Sequence, residues 1–300
     1  MNITFRQLRL FLATAETGSV SAAARAMHVT QPTASMQLRE ITESVDLPLY
    51  DIIGRQLHLT DAGRQLARTA RNIVGEWEAF EQSIHAMRGL TQGRLRVAVV
   101  STAKYFIPRL LGSFCEQHPD IDISLEVLNR DGVVQRLRDN RDDLYVMTTP
   151  PTDMALEDQV FLSNPLVLIA PQGHALATRK RIALSTLQGE RFLLREKGSG
   201  TRLATDRFFQ AQDFEPASRL ELGSNEAIKE AVAGHLGVAV ISRHALKDSE
   251  LAQELCVLPV AGTPIPSQWH LVYPKAKQIS PIAAVFQAHL VQQARLWAKD

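Results

Sequence analysis

Cysteine is nearly absent: Cys115 and Cys256 are the only two in 300 residues, far apart and without metal-ligand spacing. A disulfide-stapled secreted fold is excluded, neither thiol sits where a nucleophile or ligand would be expected, and a reducing cytosol suits the chain. Net charge is equally scarce. Lys and Arg total 33 against 32 Asp and Glu, a formal +1, so no chain-wide field draws in nucleic acid or an anionic surface, and any such partner must meet a local patch. Lysine is missing altogether from residues 1–93, where nine Arg balance nine acids. No run reaches about 18 uninterrupted apolar residues, and the amino terminus holds Arg6 and Arg9 inside its apolar pattern with no small-residue cleavage site. A cytoplasmic chain without membrane contact is expected. His-Glu-x-x-His, Gly-x-Ser-x-Gly and a phosphate-loop Gly-Lys-Ser are all missing, and the nine histidines, His174, His235 and His270 among them, are scattered as surface or packed residues. No metal and no cofactor is expected.

What is present is an ordinary globular composition, 45% hydrophobic and 22% charged, at a length that suits two or three domains. The first sixty residues read as short helices with clear stops. Thr4 and Gln7 form a capping box ahead of Phe5, Leu8, Leu12 and Ala15, and Gly18 ends that helix. A second helix opens near Ser19 or Ser21 and offers Ala22, Ala23 and Ala24 for close approach. A third has Thr30 as N-cap, Pro32 in its first turn and a buried stripe of Ala34, Leu38, Ile41 and Val45. Its other side carries Pro32, Ser35, Met36, Arg39, Glu40 and Glu43, flanked by Gln31 and Thr33. This arrangement fits a helix-turn-helix reader of DNA, and equally a small three-helix bundle with a solvated face. Residues 49–53 and 57–60, joined through Gly54, Arg55 and Gln56, then read as a β-wing with Arg55 at its tip, where it would reach a minor groove or a phosphate.

A long helix follows from Thr60 to about Gly89. Leu66, Ala70, Ile73, Trp77, Phe80, Ile84 and Met87 step along it alternately by four and three, a heptad seam that predicts a homodimer; the alternative is one amphipathic helix lying on its own domain. A boundary is expected near Gly93, after which strands alternate with helices, which predicts mostly parallel sheets. Proline clusters at Pro150-Pro151 and at Pro264 and Pro266 bracket a central block, 163–265, consistent with two subdomains crossed twice by the chain.

Three strand-to-helix junctions carry small polar residues: Ser101-Thr102, the run from Gly198 through Ser199, Gly200 and Thr201 to Arg202, and Ser224-Asn225. With Lys104, Lys197 and Arg202 nearby, a cleft between the subdomains would suit a carboxylated or phosphorylated small molecule, although each junction is also an ordinary helix cap. Ser101-Thr102-Ala103-Lys104 matches the Ser-x-x-Lys signature of a serine acyl-transferase or hydrolase, with Lys104 activating Ser101. Its companions are missing: there is no Ser-Asp-Asn, and Lys197-Gly198-Ser199 has the wrong order for Lys-Thr-Gly. Pro108 further places the helix start beyond Lys104.

The ordered set Phe5-Arg6-Gln7-Leu8, Gly18-Ser19, Ala22-Ala23-Ala24, Val29-Thr30-Gln31-Pro32, Ser35, Gly54-Arg55 and Leu59-Thr60-Asp61-Ala62-Gly63 resembles the winged helix-turn-helix of LysR-type transcriptional regulators. The stretch from Val99 to Leu111, the loop 195–202 and residues 224–229 are similar to regulators of carbon-fixation (rubisco) operons. The resemblance spans the whole chain and implies an α/β protein with an all-α head. Residues 1–60 would form a winged helix-turn-helix and 61–92 a dimerising linker with Leu66, Ile73, Trp77, Phe80 and Ile84 at its interface. Residues 93–300 would form a two-lobed, periplasmic-binding-protein-like effector domain, lobe I at about 93–162 and 266–300 and lobe II at about 163–265. It implies DNA contacts by Thr30, Gln31, Pro32, Thr33, Ser35, Met36, Arg39 and Arg55, and effector contacts by Ser101, Thr102, Thr149, Thr201 and Asn225, to which the residues add Lys104, Lys197 and Arg202. Implied partners are double-stranded DNA with an inverted-repeat operator, a small anionic metabolite, a second copy in a homodimer that pairs into a homotetramer, and RNA polymerase.

In the head, three features depart from the family pattern. Met36 stands where a basic residue is frequent, Ile52 replaces a frequent wing Arg, and Asp46 takes a usual glycine position. In the effector loop, Lys197 replaces a common proline and adds positive charge beside the cleft.

Overall fold

Local capping and burial chemistry sets the amino-terminal helices. The computed structural model describes residues 2–54, 56–87, 93–247 and 250–297; Arg55 at the wing tip and the side chain of Met87 in the seam lie outside them. Helix α1 (Phe5–Thr17) opens on a reciprocal box, the Gln7 amide donating to Thr4 Oγ1 at 3.3 Å and the Thr4 amide to Gln7 Oε1 at 2.9 Å, and closes on Gly18 at φ 62°. Ser19 caps α2 (Val20–Ala26) and Thr30 caps α3 (Gln31–Val45). Asp46 ends α3 at φ 58°, so an Asp adopts the left-handed turn where the family pattern has glycine. Leu10, Phe11, Leu38 and Ile41 are fully buried in the core these helices share, each worth about 1.5–3 kcal/mol of transfer free energy.

Strands β1 (Tyr50–Ile53) and β2 (Gln56–Leu59) pair antiparallel as the wing, which the Leu57 amide ties to the Gly18 carbonyl at 2.9 Å. Helix α4 (Asp61–Met87) starts where Thr60 Oγ1 accepts from the Gly63 amide at 3.1 Å and donates to the Pro48 carbonyl at 2.7 Å. Gly63 touches backbone there: a Cβ on it would lie 1.9 Å from the Leu49 carbonyl oxygen.

The larger unit holds two sheets. Its elements in order are β3 (Gly93–Val100), α5 (Ile107–Gln117), β4 (Ile121–Leu128), α6 (Arg130–Arg138), β5 (Leu144–Met147), β6 (Leu156–Ser163) and β7 (Leu166–Pro171). They continue with β8 (Arg191–Arg195), α7 (Gly200–Ala211), β9 (Ser218–Leu222), α8 (Asn225–Ala233), β10 (Val238–Ser242), β11 (Leu255–Leu258), β12 (Gln268–Pro274) and α9 (Pro281–Trp297). Lobe I carries the strand order β4-β3-β5-β12-β6 and lobe II β11-β7-β10-β8-β9. Pairing corrects the expectation of mostly parallel sheets. β3 is parallel to β4 and β5, and β8 to β9 and β10, but β12 runs antiparallel to β5 and β6, and β7 antiparallel to β10 and β11. The double crossing explains much of this: β6 leaves lobe I at Ser163 and β12 re-enters it at Gln268, so the two meet head to tail, while a Leu166–Ile265 bridge continues the pairing on the far side. Lobe II buries both faces of its sheet; Leu166, Leu168 and Ala170 enter one core and Val167 and Ile169 the other. Among the described residues no helix is long and apolar enough to cross a membrane.

Two glycines of α4 are expected to respond to alanine with opposite sign. Gly63→Ala drives a methyl into the Leu49 backbone and should cost about 1–3 kcal/mol. Gly75, off the seam with open space around it, should gain about 0.5–1 kcal/mol as alanine. Thermal unfolding of the two variants checks both, and equal melting temperatures would contradict the close contact.

Candidate functional sites

The exposed side of α3 holds the residues expected to meet DNA. Thr30, Gln31, Pro32, Met36 and Arg39 are exposed, and Thr33 and Ser35 are half-buried. Gln31 Nε2 donates to Ser35 Oγ at 3.3 Å, the Thr30 and Thr33 hydroxyls lie 2.8 Å apart, and Arg39 Nε reaches Glu43 at 2.8 Å. Arg39 is thus partly neutralised on its own helix, a solvent-exposed pair of small energetic worth. On the wing, Ile52 and Ile53 present apolar side chains to solvent, an exposure that the strand pattern does not foretell.

Helix α4 divides its seam in two. Leu66 and Ala70 pack into the head's own core. Ile73, Trp77 and Phe80 stay 45%, 51% and 54% exposed, with Trp77 stacked between Phe5 and Phe80 at ring distances of 5.9 and 5.7 Å, and Ile84 is half-buried.

The strand-to-helix junctions converge where the lobes meet. A 3-10 helix at Ser101–Tyr105 follows β3, so a helical turn does begin at the serine, ahead of the start near Ile107 that Pro108 indicated. Thr102, Thr201 and Asn225 are buried. Arg195, whose neighbours Lys197 and Arg202 stand out more in the sequence, joins them: it is 2% exposed, sits at the end of β8, and donates to Asn225 Oδ1 at 2.8 Å and across the lobes to Ser101 Oγ at 3.2 Å. Glu196 balances its charge through bonds of 2.8 and 2.9 Å. Asn225 Nδ2, on a residue 2% exposed, neighbours the Tyr105 hydroxyl without completing a hydrogen bond, and a buried donor in that state favours an incoming acceptor.

Beside this cluster Lys104 Nζ donates to Glu226 at 2.8 Å and Tyr105 Oη to the same carboxylate at 2.7 Å, both across the lobes. Tyr105 also packs against the lobe II core, with Lys229 Nζ 5.6 Å from its ring centre. Burial works to raise the Glu226 carboxyl, but the Lys104 and Tyr105 bonds outweigh it and hold the group at about 2. Burial, followed by the bond to Glu226, pushes the Tyr105 phenol well above its usual range.

The remaining candidates lie elsewhere. Arg202 turns to its own lobe, bonding Asp206, Glu221 and the Arg195 carbonyl, each at 2.9 Å. Lys197 is exposed on a small cavity of about 250 Å³ shared with Asp131 and Asp206. Thr149 lines a larger cavity of about 650 Å³ at the chain crossings. The Gly198 to Thr201 run spans the lobes, Gly198 at φ 88° accepting from the Asp131 amide at 3.2 Å. Gly200 lies so close to Thr148 that a Cβ would sit 2.5 Å from its hydroxyl oxygen. The Gly-Ser-Gly loop therefore serves close approach between lobes. Among the described residues no group of acids, His and Cys could hold a metal ion.

The helix-turn-helix model of bacterial regulatory proteins of the lysR family matches residues 5–64, and the LysR substrate binding domain model matches 88–295. The chain belongs to the LysR family. It is a transcriptional regulator with a DNA-binding head and a two-lobed effector domain, and not an enzyme. The acyl-transfer reading falls with that, and the geometry agrees, since Lys104 is held by Glu226 and Ser101 accepts from Arg195. Relatives include the transcriptional activator CmpR of Synechocystis, 41% identical over 96% of this chain and 95% of its own. The RuBisCO operon transcriptional regulator of Acidithiobacillus ferrooxidans is 42% identical over 96% and 93%. Among solved structures, the regulatory domain of Synechocystis CcmR in complex with 2-PG is 45% identical, with a TM-score of 0.66 over 68% of this chain and 98% of that one.

A carboxyl whose folded pKa is depressed contributes stability above its unfolded value and loses it as pH falls through the folded one. For Glu226 that window runs from 4.5 down to about 2. Glu226→Gln should therefore flatten the fall of the effector domain's melting temperature across the window. Superimposable profiles in thermal scans would rule out the tie to Lys104 and Tyr105.

Proposed function

We propose that this regulator controls carbon-fixation genes in response to a small anionic metabolite bound between the lobes of its effector domain, with 2-PG as the first candidate. The observation that carries this is the cross-lobe cluster of Ser101, Arg195 and Asn225 with its unmatched buried donor, in a region 45% identical to a regulatory domain solved with 2-PG. Ser101, Thr102, Thr149, Thr201 and Asn225 supply the neutral contacts. Such a ligand acts by preferring one lobe arrangement over another. Titration calorimetry of the full chain with 2-PG tests the assignment, saturable heat being the expected result; a flat titration would reject 2-PG.

The same proposal places the chain in the cytoplasm, with α3 in a major groove through Thr30, Gln31, Pro32, Thr33, Ser35, Met36 and Arg39, and with Arg55 on the wing. Paired heads require an inverted-repeat operator with half-sites about 10 bp apart. The exposed Ile73, Trp77 and Phe80 support a homodimer along α4, two dimers pairing into a tetramer, and RNA polymerase is the partner through which an activator works.

Gln31→Ala should weaken operator binding by roughly 1–3 kcal/mol and leave non-specific binding nearly unchanged; equal loss on both DNAs would refute base readout. Ile73→Asp should yield monomers or aggregates in sedimentation velocity. An unaltered assembly would remove α4 as the dimer interface.

A further inference from the structure

An unpaired cation favours a metabolite anion, and most cations around the lobe boundary are already paired. Lys104 is held by Glu226, and Arg195 by Glu196. Arg130 donates to the Thr149 carbonyl and to Asp131, and Arg202 to Asp206 and Glu221. Lys197 makes no ion pair among the described residues, but the small cavity it borders also presents the carboxylates of Asp131 and Asp206 to any anion there.

The larger cavity at the chain crossings differs on both counts. Arg207, on the face of α7 that also bears Ala204 and Phe208, lines it and makes no hydrogen bond or ion pair among the described residues. No carboxylate lines that cavity. Thr148, Thr149, Ser163 and Ser267 offer hydroxyls, and Phe208 and Ile265 an apolar floor. His270 shares the lining, its Nδ1 already occupied 2.7 Å from Asp158. A volume of about 650 Å³ is in the range of small-molecule sites.

We infer that Arg207 is the cation that selects an anionic effector: a phosphate or carboxylate end pairs with its guanidinium in the cavity at the chain crossings, where Thr149, one of the neutral contacts proposed above, is joined by Thr148, Ser163 and Ser267. This rests on the proposal of an anionic effector and replaces Lys104, Lys197 and Arg202 as its charge partners. A guanidinium suits the task because its planar fork can pair two oxygens at once.

Calorimetric titration of the full chain with 2-PG, comparing wild type, Arg207→Gln, Arg207→Lys and Lys197→Gln, provides the test. Arg207→Gln is expected to weaken binding at least tenfold with an unchanged melting temperature in the absence of ligand, since the side chain is exposed and unpaired. Arg207→Lys should fall between the two, and Lys197→Gln should stay within twofold of wild type. Raising salt should weaken the wild type more steeply than Arg207→Gln. An Arg207→Gln protein that binds within threefold of wild type overturns the assignment of Arg207 alone. So does a loss confined to Lys197→Gln. A wild type that binds no 2-PG overturns the proposed ligand and this inference with it.

Discussion

A guanidinium buried at the meeting line of two lobes must be fully bonded, and Arg195 organises the effector domain around that requirement. An unpaired charge there would cost several kcal/mol, so Glu196, Asn225 and Ser101 are held at fixed positions around one plane. Because Ser101 belongs to lobe I and the others to lobe II, the lobes cannot separate without stripping the guanidinium of a partner. The neighbouring contacts of Lys104, Tyr105 and the Gly198–Gly200 loop add to the same seam.

These ties differ in strength. Lys104 and Glu226 are both substantially solvent-exposed, and such pairs contribute about 0–1 kcal/mol. Tyr105, by contrast, is seated against the lobe II core, and withdrawing it exposes apolar surface. The seam therefore joins one packed anchor to several weak polar links. An equilibrium of that kind can be moved by a ligand whose differential affinity is only a few kcal/mol.

Much of the head was legible because its determinants are local. The Thr4–Gln7 box, the Thr30 cap with Pro32 behind it, and Gly18 each act within four residues, and each does in the structure what its chemistry requires. The antiparallel pairing of β12 with β5 and β6, and of β7 with β10 and β11, was not legible because it joins distant parts of the chain, and pairing direction leaves no mark on local periodicity. At the lobe boundary, Ser101, Thr201 and Asn225 stood out as small polar residues ending apolar strands. Glu226 did not, because its role depends on a lysine 122 residues away. The partners of Arg202 were hidden for a related reason: Glu221, which pairs with it as Asp206 one turn along does, lies on a different element, strand β9. The seam of α4 was visible as a repeat, while its division into a self-packed half and an exposed half depends on where α1 lies.

Head and linker helix contain no lysine, the first being Lys104, so their basic side chains are guanidinium or the imidazoles of His28, His58 and His85. Acetylation, which cancels an ammonium charge, has no side-chain substrate on that surface. The positive charge of the DNA-binding unit is consequently carried by side chains that this modification cannot neutralise.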